Sequence, residues 1–260
     1  MGGRSDDPER RALTGSGSEP FELVSRQAGT RRLVQTERRR SRTYPAWGCH
    51  ASPVLKTGWA TGPLPLRDNR SGRGTALYDP RVHGVIFAAF SDFVLTRYGA
   101  EAAKEILAGS PIHQLSEAYD DEEFLELVVR ACDRTGVPTE QLVHDFGVFA
   151  GSKTFPRLYP AFFSLAGSSR AFLLTIEDRI HELVRATIPD AHPPQLDVQP
   201  LGEDGVRITY TSPRRLCTLL EGLVEGTAAY YEENVEVAQP ACMLRGDPAC
   251  LVDVRFAPSA

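Results

Sequence analysis

One histidine and a short polar motif downstream of it are the residues of this chain with the clearest potential for chemistry. His181 lies within Ile176-Glu-Asp-Arg-Ile-His-Glu-Leu, and Tyr210-x-Ser212-x-Arg214 begins 29 residues later. A neutral imidazole can bind a metal ion. Two hydroxyls and a guanidinium can bind carboxylates, because arginine keeps its charge and presents a planar fork of N–H donors. Together they suggest a site for a group with one metal ion and two carboxylates.

The histidine is predicted to lie on an amphipathic helix. In residues 170–188 apolar residues recur at helical spacing, and Leu174, Val184 and Ile188 fall on or next to the same stripe as His181. A histidine in such a position is commonly a core residue satisfied by hydrogen bonds. It is also the side chain that serves as the proximal ligand of haem iron.

The Tyr-x-Ser-x-Arg motif is predicted to present its three side chains together. In an extended segment, residues i, i+2 and i+4 project to one face. Pro213 indicates that the strand ends here or lies at an edge, because proline has no backbone donor. The polar end of a solvent-facing strand explains the motif equally well when it is taken alone. Haem has one metal ion and two propionates, so a haem site would use both features.

Several further segments extend the pattern, and with them Val82–Phe256 resembles the H-NOX (haem nitric oxide/oxygen binding) domain, which also occurs in soluble guanylate cyclase. The matching segments are Val82-His-Gly-Val-Ile86-Phe-Ala-Ala-Phe90, Tyr98-Gly99, Phe155-Pro-Arg-Leu-Tyr159-Pro-Ala-Phe-Phe163, the histidine helix, Ala191-His-Pro-Pro194-Gln-Leu, the Tyr-x-Ser-x-Arg motif and Leu223-Val-Glu-Gly226. The resemblance covers about two thirds of the chain. It implies an α+β fold, with a helical N-terminal lobe packed on a C-terminal antiparallel sheet and haem between them.

The resemblance also implies a role for each matching residue. His181 would be the proximal iron ligand. The propionate clamp would consist of Tyr210, Ser212 and Arg214. Pro194 and Ile86 would press on the porphyrin and distort it, and the fixed φ angles of Pro193-Pro194 suit a stiff wedge. The chain has no Cys-x-x-Cys-His motif, so the haem would be haem b, held without covalent attachment.

The distal side of the implied pocket carries no predicted hydrogen-bond donor. Oxygen-binding relatives have a tyrosine nine residues after Tyr210, where this chain has Leu219, and the implied apolar neighbours are Leu220, Leu223, Ile86 and Phe90. Bound O2 carries negative charge and needs a donor, whereas NO and CO bind ferrous iron without one. The resemblance therefore implies a sensor, not an enzyme, that binds NO and CO and excludes O2. Its partner would be a separate protein, such as a histidine kinase or a cyclic-di-GMP enzyme.

Three cysteines near the C-terminus form a second candidate site. Cys217 is followed by Cys242-Met-Leu-Arg-Gly-Asp-Pro-Ala-Cys250. Three thiolates could bind zinc, although structural zinc usually has four ligands and the histidine of many bacterial relatives is replaced by Arg245. Buried or redox-active cysteines explain the spacing as well. A haem-free module that binds zinc or senses oxidation is therefore the alternative function. A haem enzyme such as a peroxidase is a third hypothesis, but it would need polar distal groups, and Leu219 with its apolar neighbours supplies none.

The first 81 residues differ in composition from the rest of the chain. They carry 15 basic and 8 acidic residues, a net charge of +7, whereas residues 82–260 have a net charge of −12. They have no sustained apolar period, so disorder is expected, with a basic tail for nucleic acid or lipid as the alternative. Val82 is also a candidate initiator, because GTG encodes valine and can start bacterial translation. Residues 1–81 would then be a start-site artefact.

Residues 82–260 are predicted to form one α+β domain. The expected helices are 84–97, 100–108, 121–135, 139–149, 155–163, 168–188 and 215–232, and the expected strands are 195–200, 205–212, 234–239 and 249–256. Gly202-Glu-Asp-Gly205 is predicted to form a hairpin turn. The apolar runs are too short to cross a membrane, and the acidic excess argues against nucleic acid as a partner. Five cysteines without a framework spacing favour a reducing, cytoplasmic location.

Overall fold

A helical lobe and an antiparallel sheet make up the part of the chain that a computed structural model describes, which is residues 81–188, 190 and 192–257. The helices are α1 (Gly84–Ile106), α2 (Asp121–Thr135), α3 (Thr139–Phe149), α4 (Phe155–Leu158), α5 (Pro160–Ala166), α6 (Ser169–Thr175), α7 (Glu182–Thr187) and α8 (Cys217–Tyr230). The strands are β1 (Arg81–His83), β2 (Ala118–Asp120), β3 (Gln195–Pro200), β4 (Gly205–Thr211), β5 (Val235–Ala241) and β6 (Cys250–Phe256). Shorter turns of π-helix occupy Ala150–Thr154 and Ile176–His181, and a 3-10 turn occupies Met243–Arg245. The predicted α+β fold class is confirmed.

Of two predicted helix boundaries that the backbone explains, the one within 155–163 is wrong and the one between 97 and 100 is confirmed. The predicted helix 155–163 is divided into α4 and α5 at Pro160, which has no N–H and therefore begins a new helix. The predicted helices 84–97 and 100–108 are the two halves of α1, which bends at Gly99. Gly99 has a φ of 83°, a conformation that glycine adopts without steric cost.

The N-terminal boundary of the domain also differs from the prediction. Arg81, predicted to belong to the N-terminal extension, is the first residue of β1, which pairs with β2 in a small antiparallel sheet. Neither strand was predicted, because three residues are too few to show an alternating pattern. The expectations of disorder and of an artefactual start were made for residues 1–81, of which 1–80 lie outside the described residues, as does Ala191.

The helical lobe has a core rich in phenylalanine. The ring of Phe90 is fully buried and makes edge-to-face contacts with Phe124 and Phe146, whose centroids lie 5.5 and 5.2 Å away. Such contacts add to the apolar burial that stabilises the lobe. Helices α1, α2 and α3 supply these rings, and α8 closes the lobe from the side of the sheet.

Helix α8 packs unusually closely against α3 and the π-helical turn that follows it. A Cβ atom on Gly222 would lie 2.2 Å from the carbonyl oxygen of His144, and one on Gly226 would lie 2.3 Å from that of Val148. Only glycine permits such an approach of two backbones. The close packing fixes the position of α8, which lies between the two halves of the core.

The large sheet has the strand order β3-β4-β6-β5, and every neighbouring pair is antiparallel. Strands β3 and β4 form the predicted hairpin, in which Leu201 N donates to Gly205 O. Leu220 and Val224 of α8 pack on the sheet, whereas Leu219 packs in the helical lobe. None of the helices in the described ranges combines the length and apolar character required to span a bilayer.

Candidate functional site

His181 is the last residue of the π-helical turn between α6 and α7. The predicted continuous helix 168–188 therefore consists of three helical pieces in succession. A π-helical turn inside a helix is rare and frequently marks a functional position. The histidine side chain is 15% exposed, so it belongs to the interior of the domain without being sealed from it.

The imidazole of His181 is held by the carboxylate of Glu177. The Nδ1 atom lies 2.8 Å from Glu177 Oε2, and the same carboxylate accepts from Leu196 N at 3.2 Å and from Arg185 Nη2 at 2.5 Å. Burial by itself would raise the pKa of Glu177, but the hydrogen bonds from His181 and Arg185 lower it below the ordinary value. The carboxylate is therefore an anion that accepts a hydrogen bond from Nδ1–H.

The Nε2 atom of His181 is thereby left as the nitrogen with an available lone pair. Burial lowers the pKa of His181, which favours the neutral ring. In the described part of the chain no group hydrogen bonds to Nε2. A neutral imidazole with a bonded Nδ1–H and an open Nε2 has the form required of a metal ligand.

The residues of the Tyr-x-Ser-x-Arg motif are all buried, but the motif is not one extended segment. Strand β4 ends at Thr211, so the predicted common strand face is wrong for Ser212 and Arg214. Residues 213 and 214 form a turn, and Arg214 N donates to Ser212 Oγ at 3.3 Å. Proline at position 213 cannot continue the ladder, which is why the strand ends there.

The guanidinium of Arg214 binds a carboxylate of the protein itself. Its Nε lies 2.8 and 3.0 Å from the two oxygens of Asp121, the first residue of α2. Nη1 donates to the carbonyl of His192 at 2.7 Å, and Nη2 donates to the carbonyl of Arg81. The sequence showed Asp121 only as an acidic residue at a helix start, so its burial and its partner were missed.

Tyr210 occupies the end of β4 in the core on the sheet side. Its hydroxyl accepts from Leu216 N at 3.0 Å, which ties the strand to the start of α8. Burial raises the pKa of Tyr210 to about 12. The phenol therefore stays protonated at physiological pH and retains an O–H donor.

Four of the five residues predicted to line the distal side lie in the same apolar core, whereas the prediction is wrong for Leu220, which the turn of α8 directs to the sheet. Phe90 and Leu219 are buried there, and Ile86 and Leu223 are partly buried against it. Pro194 is half-buried and directly precedes β3, two residues before the strand amide that binds Glu177. The structure thus brings together the predicted distal residues other than Leu220, and it places Pro194 directly before the strand that binds Glu177.

The three predicted cysteine ligands form one buried cluster. Their sulfur atoms lie within 4.8 Å of one another, with 3.6 Å between Cys217 and Cys242 and 4.0 Å between Cys242 and Cys250. Met243 N donates to Cys250 Sγ at 3.2 Å. The nearby thiol of Cys217 lowers the pKa of Cys250, and the same proximity together with burial raises the pKa of Cys217. Arg245 donates to the carbonyl of Gln239 instead of completing the cluster.

The helical lobe, the sheet and the buried histidine together define an H-NOX domain. Residues 83–239 match the family described as Haem-NO-binding, which is more than half of the chain. The chain therefore belongs to this family, the H-NOX family of haem-based gas sensors. No curated protein matches the chain.

Solved H-NOX structures have the same fold with different gases bound. The Fe(II)NO form of an H-NOX protein from S. oneidensis is 23% identical, with a TM-score of 0.62 over 68% of this chain and 99% of that one. The Fe(II)CO form of an H-NOX domain from Shewanella oneidensis is 24% identical, with a TM-score of 0.62 over 68% and 100%. The oxygen complex of an H-NOX domain related to soluble guanylate cyclases is 22% identical, with a TM-score of 0.61 over 67% and 95%. Because all three match almost equally, the fold does not discriminate between the gases.

Proposed function

We propose that this chain is an NO-responsive haem sensor in which His181 binds the iron of a haem b. The observation that carries the proposal is the hydrogen bond between His181 Nδ1 and Glu177, because it leaves Nε2 as the only ring nitrogen able to bind a metal ion. The burial of the ring keeps it neutral, as iron ligation requires. The residues therefore fit the group that the family binds.

The propionates of the haem are proposed to bind Tyr210, Ser212 and Arg214. Tyr210 keeps its proton and can donate, and Arg214 is held in place through Nε by Asp121. The guanidinium is therefore positioned before any ligand arrives, which reduces the entropy lost on binding. Pro194 and Ile86 are proposed to contact the porphyrin and to distort it.

The distal residues support a preference for NO and CO over O2. Haem held by His181 would supply a ferrous iron able to bind a diatomic gas. Leu219, Leu223, Ile86 and Phe90 have no side-chain hydrogen-bond donor, so they offer nothing to the negative charge of bound O2. We therefore expect the site to respond to NO and to form no stable complex with O2.

The signal is proposed to leave the domain through the elements that hold His181. The ring lies between α6 and α7 and is joined to β3 through Glu177, so a displacement of the imidazole moves a helix and a strand. A separate protein that reads this movement, such as a bacterial histidine kinase or a cyclic-di-GMP enzyme, is the proposed partner. We propose a cytoplasmic regulator that is not an enzyme and contacts neither nucleic acid nor a membrane.

Absorption spectra of the purified 260-residue protein test this proposal. We expect a ferrous haem spectrum under anaerobic reduction, distinct changes with NO and with CO, and no stable complex in air. His181→Gly should abolish ligation by the protein, while the same change at the exposed His192 should not. Failure of the wild type to take up haem on reconstitution would overturn the proposal.

The cysteine cluster supports a second candidate function, zinc binding or thiol-based sensing. Three buried sulfurs within 4.8 Å can provide three of the four ligands that structural zinc requires. Elemental analysis of protein purified without chelators should show about one zinc per chain, lost in Cys242→Ser. Cys132→Ser is the matched control, because Cys132 is also buried but lies in α2. Equal and negligible zinc in all three proteins, with no thiol oxidation by peroxide, would exclude both forms of this function.

A further inference from the structure

We infer that Glu177 is a positioning residue that sets the strength of the bond between His181 and iron. This inference rests on the proposed haem ligation by His181. The carboxylate joins three elements, because it accepts from Nδ1 of His181, from the amide of Leu196 in β3 and from Arg185 in α7. An exposed ion pair within a helix would not include the strand amide.

The geometry indicates that Nδ1 of His181 carries the hydrogen in its hydrogen bond with Glu177. An acceptor 2.8 Å from Nδ1 requires that this nitrogen carry the hydrogen, so Nε2 is directed to the metal. Arg185 and the Leu196 amide both donate to the carboxylate and thereby favour its anionic form. The imidazole therefore has a charged acceptor behind it rather than water or a neutral carbonyl.

A carboxylate in this position makes the imidazole a stronger donor to a metal ion. An ionised acceptor draws the Nδ1 proton away from the ring and raises the basicity of Nε2. The expected result is a stronger iron–imidazole bond, a lower reduction potential and a histidine that NO releases less readily. Because Glu177 also binds β3, the ring stays attached to the strand after any release.

The sequence contains a matched control in the same turn of helix. Asp178 is the next residue, it is also acidic, and it is exposed. Asp178→Asn removes one negative charge beside the site without touching the imidazole. Glu177→Gln keeps the size of the side chain and an acceptor oxygen but removes the charge. Glu177→Leu removes both the acceptor oxygen and the charge.

The experiment compares the full-length haem-loaded wild type with Glu177→Gln, Glu177→Leu and Asp178→Asn. Resonance Raman spectroscopy measures the iron–histidine stretching frequency of the ferrous protein, and transfer to apomyoglobin measures the rate of haem loss. We expect the frequency to fall in Glu177→Gln and further in Glu177→Leu, with Asp178→Asn equal to the wild type. Haem loss should become faster by roughly 10-fold or more in Glu177→Leu, the usual effect of removing an outer partner of a ligating histidine.

The possible outcomes separate this inference from the function on which it rests. If the wild type binds haem and neither Glu177 variant changes the stretching frequency, Glu177 has only a structural role and the inference is wrong, whatever happens to the rate of haem loss. If Glu177→Leu does not fold, the frequency in Glu177→Gln decides alone. If the wild type binds no haem, the proposed function itself fails.

Discussion

Asp121 and Arg214 form a buried ion pair that links the start of α2 to the turn after β4. Their side chains are only 4% and 8% exposed, and the Nε atom of Arg214 lies within 3.0 Å of both carboxylate oxygens. The residues are 93 positions apart in the chain. The pair therefore connects the helical lobe to the segment that carries the proposed propionate clamp.

Removal of one member of this pair should destabilise the domain strongly. We predict that Asp121→Ala lowers the free energy of unfolding of the haem-free protein by about 3–5 kcal/mol, because a buried guanidinium loses its counter-charge. Urea denaturation measures the effect. Asp120→Ala is the control, since Asp120 is exposed and makes no side-chain cap, and its effect should stay within about 0.5 kcal/mol. Equal effects of the two substitutions would show that the buried pair has no special role.

A hydroxyl on the distal side should convert the gas preference. We predict that Leu219→Tyr raises the affinity for O2 by roughly 10- to 100-fold, because a hydrogen bond to a charged group contributes about 1.5–3 kcal/mol. The absorption spectrum of the reduced protein in air measures the change. The control is Leu219→Phe, because phenylalanine has nearly the same volume as tyrosine but no hydroxyl. This variant should leave the O2 affinity low. A stable oxygen complex of the wild type would contradict the distal assignment.

The contact between α8 and α3 should tolerate no side chain at Gly222. We predict that Gly222→Ala lowers the free energy of unfolding of the haem-free domain by about 1–3 kcal/mol, because the new methyl group would collide with the carbonyl of His144. Chemical denaturation measures this loss. Ala229→Ser adds one heavy atom on the exposed side of the same helix and serves as the control. Unchanged stability of Gly222→Ala would show that the two helices separate at little cost.

His144 should make stability depend on pH. The carboxylates of Asp145, 3.9 Å away, and of Glu225 in α8, 3.4 Å away, raise the pKa of His144 to about 9. Because the folded value lies above the ordinary 6.5, the stabilisation is fully present below pH 6.5 and is lost as the pH rises through 9. We predict that His144→Gln is less stable than the wild type at pH 6 and that this difference shrinks by pH 10. A difference that is constant between these two pH values would contradict the assignment.

The hydrophobic pattern was sufficient to predict most of the regular elements. The acidic residues from Asp120, the Gly136–Pro138 stop and Thr139 predicted α2 and α3 with their observed bounds, and Gly202–Gly205 predicted the hairpin between β3 and β4. These predictions succeed because they depend on interactions between residues close in the chain. The proposed haem site was predicted through its family resemblance, since a lone histidine and a five-residue motif are each compatible with ordinary structural roles.

Glu177, which supports the candidate ligand, shows which contacts of the site could be predicted from the sequence. Glu177 is four residues before His181, a spacing that places both on one side of a helix, so this contact could have been predicted from the sequence. Its bond to the Leu196 amide could not, because it depends on how β3 packs against the helix.

The sequence by itself was sufficient to predict the class of protein, the candidate ligand His181 and the apolar character of the distal residues, because the family resemblance depends on residue types and their spacing along the chain. The tertiary structure alone decided that Asp121 binds Arg214 and that three cysteine sulfurs meet. It also decided that the polar motif turns away from its strand after Thr211. The physical reason is that burial and pairing depend on packing between segments that are distant in the chain. A local sequence pattern does not specify which distant segment will pack against it.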